Sequence, residues 1–213
     1  MPIDLPVDLP VDLKDESQDL KTFILAVPSK GRLEEKSAEI FSKAGLTLIR
    51  DGARGYRGEM AGINSVRVEY VSAGDIAARL AEGSAHMGIT GEDLLREEIA
   101  DFNSAIHLVS PLGFGQADVV VAIPDGWVDV TTMNDLADVA AEFRARHGRR
   151  LRVATKYTHL TTDFFARHGA DDCELVQSFG ATEGAPGSGA AEAIVDITST
   201  GATLAANNLR IPE

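Results

Sequence analysis

The chain is poor in cysteine, in positive charge and in long apolar runs. Of its 213 residues one is a cysteine, Cys173. That excludes an internal disulfide framework and a cysteine-based zinc cluster. Lys and Arg number 20 against 33 Asp and Glu, giving a net charge of −13. This balance disfavours passive binding to nucleic acid or to an anionic membrane, both of which reward clustered positive charge. An anionic small molecule stays open, because it needs only local positive potential. No apolar run approaches the roughly 18 residues of a membrane span. The amino terminus has neither the basic start nor the continuous apolar stretch of a targeting segment, so the expected location is the cytoplasm. With 44% hydrophobic and 25% charged residues, the composition is that of a globular protein long enough to bury a sizeable core.

Residues 1–21 read as an acidic, extended arm. Pro2, Pro6 and Pro10 recur every four residues and block a helix. Ile3, Val7 and Val11 recur at the same step, so the arm is either a solvated tail or a partner-docking strip. From Thr22 onward, short apolar runs alternate with helical patterns. Phe23–Val27, Val66–Val71, Met87–Ile89, Asp118–Ile123, Leu151–Thr155, Cys173–Val176 and Ala193–Ile197 read as strands. Helices fit Leu33–Ala44, Ile76–Ala81, a segment led by Leu94 and Leu95, the face Leu136, Val139, Ala140, Phe143, His147, and Leu160–His168. Ser72 with Asp75, and Thr90 with Asp93, have capping-box spacing.

This order predicts an α/β fold of two lobes, with mostly parallel, helix-covered sheets around a cleft. Lobe I spans residues 22–110, with 202–213 returning to it, and lobe II spans 111–201. The joint falls in Ser110–Gly115, rich in glycine and proline. A cleft between lobes is a natural small-molecule site.

The most informative stretch runs from Glu183 to Leu204. Its second half leads from an apolar strand through Asp196 into Thr198, Ser199, Thr200, Gly201, Ala202 and Thr203. The hydroxyls can donate hydrogen bonds, Gly201 allows close backbone approach, and successive N–H groups at a helix start form an anion nest. That suits a monophosphate, with Asp196 placed to accept from sugar hydroxyls. A Thr/Ser-capped loop with no ligand has the same spacing. The Gly-Lys-Ser/Thr of a nucleotide-hydrolase phosphate loop is absent.

The same stretch resembles the signature of the ATP phosphoribosyltransferase family: a Glu, a Pro and a glycine-containing turn, then an apolar strand, then Asp and a Ser/Thr-Gly-x-Thr-Leu loop. The resemblance extends along the chain after the arm. Val27–Leu33 looks like the family's opening strand and loop, Met87–Leu94 its Gly-Ile-x-Gly turn, Leu112–Gly115 its hinge, and Val153–Tyr157 a cleft-facing strand end. With the chain ending at Glu213, the resemblance is to the family's short form, which has no regulatory domain of its own. The implied fold resembles type II periplasmic-binding proteins. The implied reaction joins ATP to 5-phosphoribosyl 1-diphosphate, by attack of adenine N1 on the anomeric carbon, with diphosphate leaving. It is the first step of histidine biosynthesis. The implied partner is a regulatory subunit like histidyl-tRNA synthetase.

Carried over by motif, Thr198–Thr203 bind the sugar 5-phosphate, Asp196 the ribose hydroxyls, and Glu183 the sugar or adenine. Lys30 and Arg32 are candidates for diphosphate or triphosphate oxygens, as are Lys156 and Tyr157 on the opposite lobe. Read without the resemblance, Lys30 and Arg32 are equally two solvated surface cations. No residue is expected as a metal ligand: His86, His107, His147, His159 and His168 share no ligand spacing. Mg²⁺ is expected to arrive bound to substrate phosphates. Two departures from the family stand out. Ser72, Ala73 and Gly74 occupy the place where many relatives carry a basic residue before the Asp-Ile pair, leaving Arg54, Arg57 or Arg67 to supply the charge. Asp118 stands where some relatives are basic. The competing reading is a cytosolic two-lobe binding protein without catalysis, and a third is an inactive regulatory subunit.

Overall fold

A computed structural model describes residues 22–212. The proposed arm, residues 1–21, lies outside them. Lobe I contains β1 (Phe23–Pro28), α1 (Gly31–Lys43), β2 (Leu48–Arg50), β3 (Arg57–Met60), β4 (Ile63–Val71), α2 (Ala73–Glu82), β5 (Met87–Gly88), α3 (Glu92–Glu98) and α4 (Phe102–Ala105). Its sheet has the order β2-β3-β4-β1-β5. β1 runs parallel to β4 and β5, while β2, β3 and β4 form an antiparallel edge.

Alternate residues of β1 serve opposite faces. Leu25 and Val27 join Met60, Val68 and Tyr70 in one core, and Ala26 joins Val71, Ile76 and Ala85 in the other. The Ser72 cap forms as its spacing predicts: Ser72 Oγ accepts from Asp75 N–H at 3.1 Å, and Gly83 ends α2 at φ +72°. The second cap does not form. Gly91 is the N-cap of α3, and Thr90 Oγ1 donates instead to Ala73 O, tying the β5–α3 loop to α2.

Lobe II contains β6 (Asp118–Pro124), α5 (Met133–His147), β7 (Leu151–Thr155), α6 (Thr158–His168), β8 (Cys173–Gln177), α7 (Ala185–Ser188), β9 (Ala193–Thr198), α8 (Ala202–Ala206) and β10 (Leu209–Arg210). Its sheet has the order β10-β6-β9-β7-β8. β9, β7 and β8 are parallel, whereas β6 and β10 enter antiparallel. Both sheets are therefore mixed, each with a parallel centre and an antiparallel side. β9 is central and covered on both faces, so it reads as a continuous apolar run. Ala193 and Val195 pack into the core with Leu136, Leu151, Val153 and Phe165, while Ile194 packs with Ala122, Leu204 and Leu209. α5 opens on a full capping box between Thr132 and Asp135.

Residues 202–212 do not return to lobe I. β10 pairs with the end of β6, Leu209 against Pro124 and Arg210 against Ile123. Leu209 is buried, Asp125 N–H donates to Asn208 O at 2.9 Å, and the Arg210 guanidinium binds the carbonyls of Trp127 and Val130. This satisfies a lobe II edge that would otherwise expose unpaired backbone groups. No helix among the described residues is long and apolar enough to cross a membrane.

Candidate active site

At the carboxyl end of β9 a cavity of about 250 Å³ is lined by Glu183, Asp196, Ile197, Thr198, Ser199, Thr200, Thr203 and Leu204. It brings together the two acids and the hydroxyl-rich loop named from the sequence. The loop is shaped from within. Gly201, at φ +73°, is the N-cap of α8. Its N–H donates to Thr198 Oγ1 at 2.8 Å, and Ala202 N–H points to Thr200 Oγ1 at 3.4 Å. The left-handed conformation is open to glycine at no steric cost, so the turn needs Gly201.

Asp196 is nearly buried, an exception for a carboxylate. It lies on the same face of β9 as Ile194. Its Oδ1 accepts from Ile197 N–H at 2.8 Å and meets Lys156 Nζ at 3.2 Å. That pairing answers how a carboxylate is kept at the end of an apolar strand. Lys156 follows β7, the strand beside β9, and its side chain stays partly exposed. Glu183 lies on a 3₁₀ turn, Thr182–Gly184, packed on β9. Ala181 enters that turn at φ +46°, a left-handed position that costs a non-glycine residue about 1–2 kcal/mol. Thr182 fastens the turn by donating from Oγ1 to Ser178 Oγ at 3.0 Å.

Tyr157 is placed differently from expectation. It is 1% exposed, and its hydroxyl donates to Asp93 Oδ2 in α3 at 2.8 Å. It is a buried post in the seam between the lobes rather than a cleft-facing contact. Burial, then the Asp93 carboxylate, push its ionisation far above the ordinary phenol range.

Lys30, the N-cap of α1, and Arg32, in the first turn of that helix, are both exposed. Gly115 and Gln116 lie between the start of α1 and the cavity loop. A Cβ placed on Gly115 would lie 3.3 Å from Leu33 Cδ2, and the neighbouring Gln116 accepts from Ser199 Oγ at 2.9 Å. This segment thus neighbours the first turn of α1 on one side and the Thr198–Thr203 loop on the other.

Sequence reasoning missed Arg50. From β2 its guanidinium donates to Ser29 O at 3.1 Å, Glu34 Oε1 at 2.6 Å and Gly55 O at 2.6 Å, and it lies 4.5 Å over the Tyr70 ring. It ties Ser29, just before Lys30, to Glu34 in α1 and to Gly55 between β2 and β3. Burial raises the Tyr70 hydroxyl's pKa, Arg50 opposes, and Glu34 and Asp51 add to the rise. The only sequence signal was an arginine ending a short apolar run.

Of the departures noted, Ser72 serves as the α2 cap, and Asp118 pairs in register with Thr198 at the mouth of the loop. Among the described residues no three His, Cys, Asp or Glu side chains converge on one point.

A sequence profile described as HisG, ATP phosphoribosyltransferase, matches residues 72–213. ATP phosphoribosyltransferase of Rhodopseudomonas palustris (strain BisA53) is 60% identical over 190 residues, covering 89% of this chain and 58% of that protein. The Bradyrhizobium diazoefficiens enzyme is 58% identical over 190 residues, with the same coverage of both. The chain thus spans 58% of the length of these curated relatives. Among solved structures, the ATP phosphoribosyl transferase (HisG:HisZ) complex from Thermotoga maritima matches with TM-score 0.63 and 28% identity, covering 90% of this chain and 82% of that one. The motifs, the two-lobed fold and a profile match across most of the sequence agree that this chain belongs to the ATP phosphoribosyltransferase family.

Proposed function

We propose that the chain carries the phosphoribosyl-transfer site of an ATP phosphoribosyltransferase, acting in the first step of histidine biosynthesis. Adenine N1 of ATP attacks the anomeric carbon of 5-phosphoribosyl 1-diphosphate. The N1–carbon bond forms, the carbon–oxygen bond to diphosphate breaks with inversion, and the products are N1-(5-phosphoribosyl)-ATP and diphosphate. The nucleophile belongs to ATP, so the protein's tasks are to anchor, aim and stabilise charge.

The observation that carries the reading is the cavity itself, where Glu183, Asp196 and the Thr198–Thr203 loop share one wall system. The loop offers hydroxyls and backbone N–H groups to the sugar 5-phosphate. Asp196 accepts from ribose hydroxyls, and its partner Lys156, 3.2 Å away, sets a cation beside that acid. Glu183 faces the same space, toward sugar or adenine. Lys30 and Arg32, across the hinge, take diphosphate or triphosphate oxygens.

Mg²⁺, when bound, supplies charge neutralisation of the departing diphosphate. The donor set fits an ion that arrives on phosphate oxygens and water, since Asp196 and Glu183 offer two carboxylates rather than a full cage. A HisZ-type regulatory subunit is the proposed partner, supported by the complex solved for the Thermotoga maritima relative.

The test is diphosphate release from ATP and phosphoribosyl diphosphate, measured with Mg²⁺, alone and with a HisZ-type protein. Release in either mixture supports the reading. Binding of phosphoribosyl diphosphate with no release in both mixtures overturns it in favour of a binding protein without catalysis.

A further inference from the structure

The seam between the lobes joins α3 of lobe I to the start of α6 in lobe II. α6 has no side-chain cap of its own: Tyr157, its N-cap, makes no such bond. The opening amides are met from the other lobe. Glu97 Oε1 accepts from His159 N–H and Glu97 Oε2 from Leu160 N–H, each at 3.0 Å. A carboxylate here satisfies orphan donors and faces the positive end of the helix dipole. His159 Nδ1 also meets the Glu97 carbonyl at 2.7 Å. One turn earlier on α3, Asp93 Oδ2 accepts from the Tyr157 hydroxyl. Asp93 and Glu97 are four residues apart and share a helix face, so one face of α3 holds both the post and the first turn of α6.

Tyr157 directly follows Lys156, whose Nζ lies 5.5 Å from the Tyr157 ring centre and 3.2 Å from Asp196 Oδ1. Lobe I therefore grips lobe II one peptide away from the cation that pairs with the cavity's acid.

We infer that Asp93 and Glu97 are positioning residues, an interlobe clamp that holds Tyr157 and α6 and thereby keeps Lys156 against Asp196 with the lobes together. The role in turnover rests on the phosphoribosyl-site reading; the clamp itself does not. Loosening it lowers the population of the closed arrangement. Apparent affinity then falls in proportion to that population, whereas saturating substrate draws the lobes together again.

The experiment compares wild type with Tyr157→Phe, Glu97→Ala, their combination, and Asp93→Asn, whose amide oxygen can still accept from the Tyr157 hydroxyl. Full chains are assayed for diphosphate release with the HisZ-type protein, and by small-angle X-ray scattering without ligand. Tyr157→Phe keeps the buried ring, so folding is preserved. The expected result is a larger radius of gyration in the combined variant. The KM for phosphoribosyl diphosphate is expected to rise about tenfold with a much smaller change in kcat. Asp93→Asn should stay close to wild type in both readouts. Unchanged scattering in the combined variant overturns the clamp, whatever the kinetics. If wild type releases no diphosphate, the reading of the cavity has failed, and scattering alone decides the clamp.

Discussion

The two lobes face their cleft with different chemistry. On lobe II the turn after β9 presents hydroxyls and backbone N–H groups beside two acids, with Lys156 as the cation paired there. On lobe I the start of α1 carries the exposed Lys30 and Arg32, and Arg50 braces it through Ser29 O before the helix and Glu34 Oε1 within it. Neutral donors on a fixed turn select by geometry. Exposed cations on long side chains attract charge while holding it loosely. A chain of net charge −13 can still meet an anionic ligand at such a site, because recognition of one phosphate needs local donors rather than net positive charge.

The sharpest way to break this comparison is Gly201→Val. A β-branched side chain at φ +73° displaces the N–H that Thr198 holds. The expected loss in kcat/KM for phosphoribosyl diphosphate is about a hundredfold, the scale of removing one preorganised donor, read by initial rates. Wild-type-like kinetics would remove the loop from the mechanism. The paired substitution Lys30→Ala with Arg32→Ala should cost less, about tenfold. It should also flatten the dependence of kcat/KM on ionic strength, because exposed charges act through a screened field. A salt profile unchanged from wild type would show that these cations do not face the substrate.

A smaller effect tests lobe II away from the cleft. Thr132→Ala breaks the α5 capping box and should lower stability by about 1 kcal/mol, seen as a reduced Tm with kinetics unaltered. If kinetics change too, site geometry depends on distant helix packing, and the division between the two lobe surfaces is less clean.

The mildest expectation concerns acid. Burial pushes the Glu192 carboxyl up, but hydrogen bonds from Arg149 and Arg152 prevail and hold it at about 2, against an ordinary 4.5. A pKa lowered by folding stabilises above the unfolded value and loses that contribution as pH falls. Glu192→Gln should therefore flatten the stability profile between pH 4.5 and 2, measured by denaturant titration at each pH.

Much of the parallel framework was legible because central strands covered on both faces are continuous apolar runs. β1, β7 and β9 have that pattern, as does β6, whose antiparallel direction the run does not reveal, and the helices between them carry periodic apolar faces. The β2–β3 hairpin was not legible. β3 reads Arg-Gly-Glu-Met, and Gly58 is there because its backbone runs against Ile49 O, only 2.3 Å from where a Cβ would sit. Glycine in a strand carries no apolar signal, so the antiparallel half of lobe I was missed, and Arg50 with it. β10 was missed because two residues have no periodicity; it is set by Leu209 burial and by Arg210 reaching the carbonyls of Trp127 and Val130.

The candidate site divides the same way. Asp196 and Thr198–Thr203 were visible because close backbone approach and hydroxyl donors are properties of residue type within one short segment. By itself the sequence determined the alternation of strands and helices, the acidic surface and the chemistry of that loop, all of which arise from interactions between near neighbours. Only the tertiary structure decided that Tyr157 is a post on Asp93, that Glu97 caps a helix of the other lobe, and that Arg50 ties Ser29 to Gly55. Those contacts join residues from 5 to 64 positions apart, and their register is set by how the two sheets and their helices pack, which no local pattern encodes.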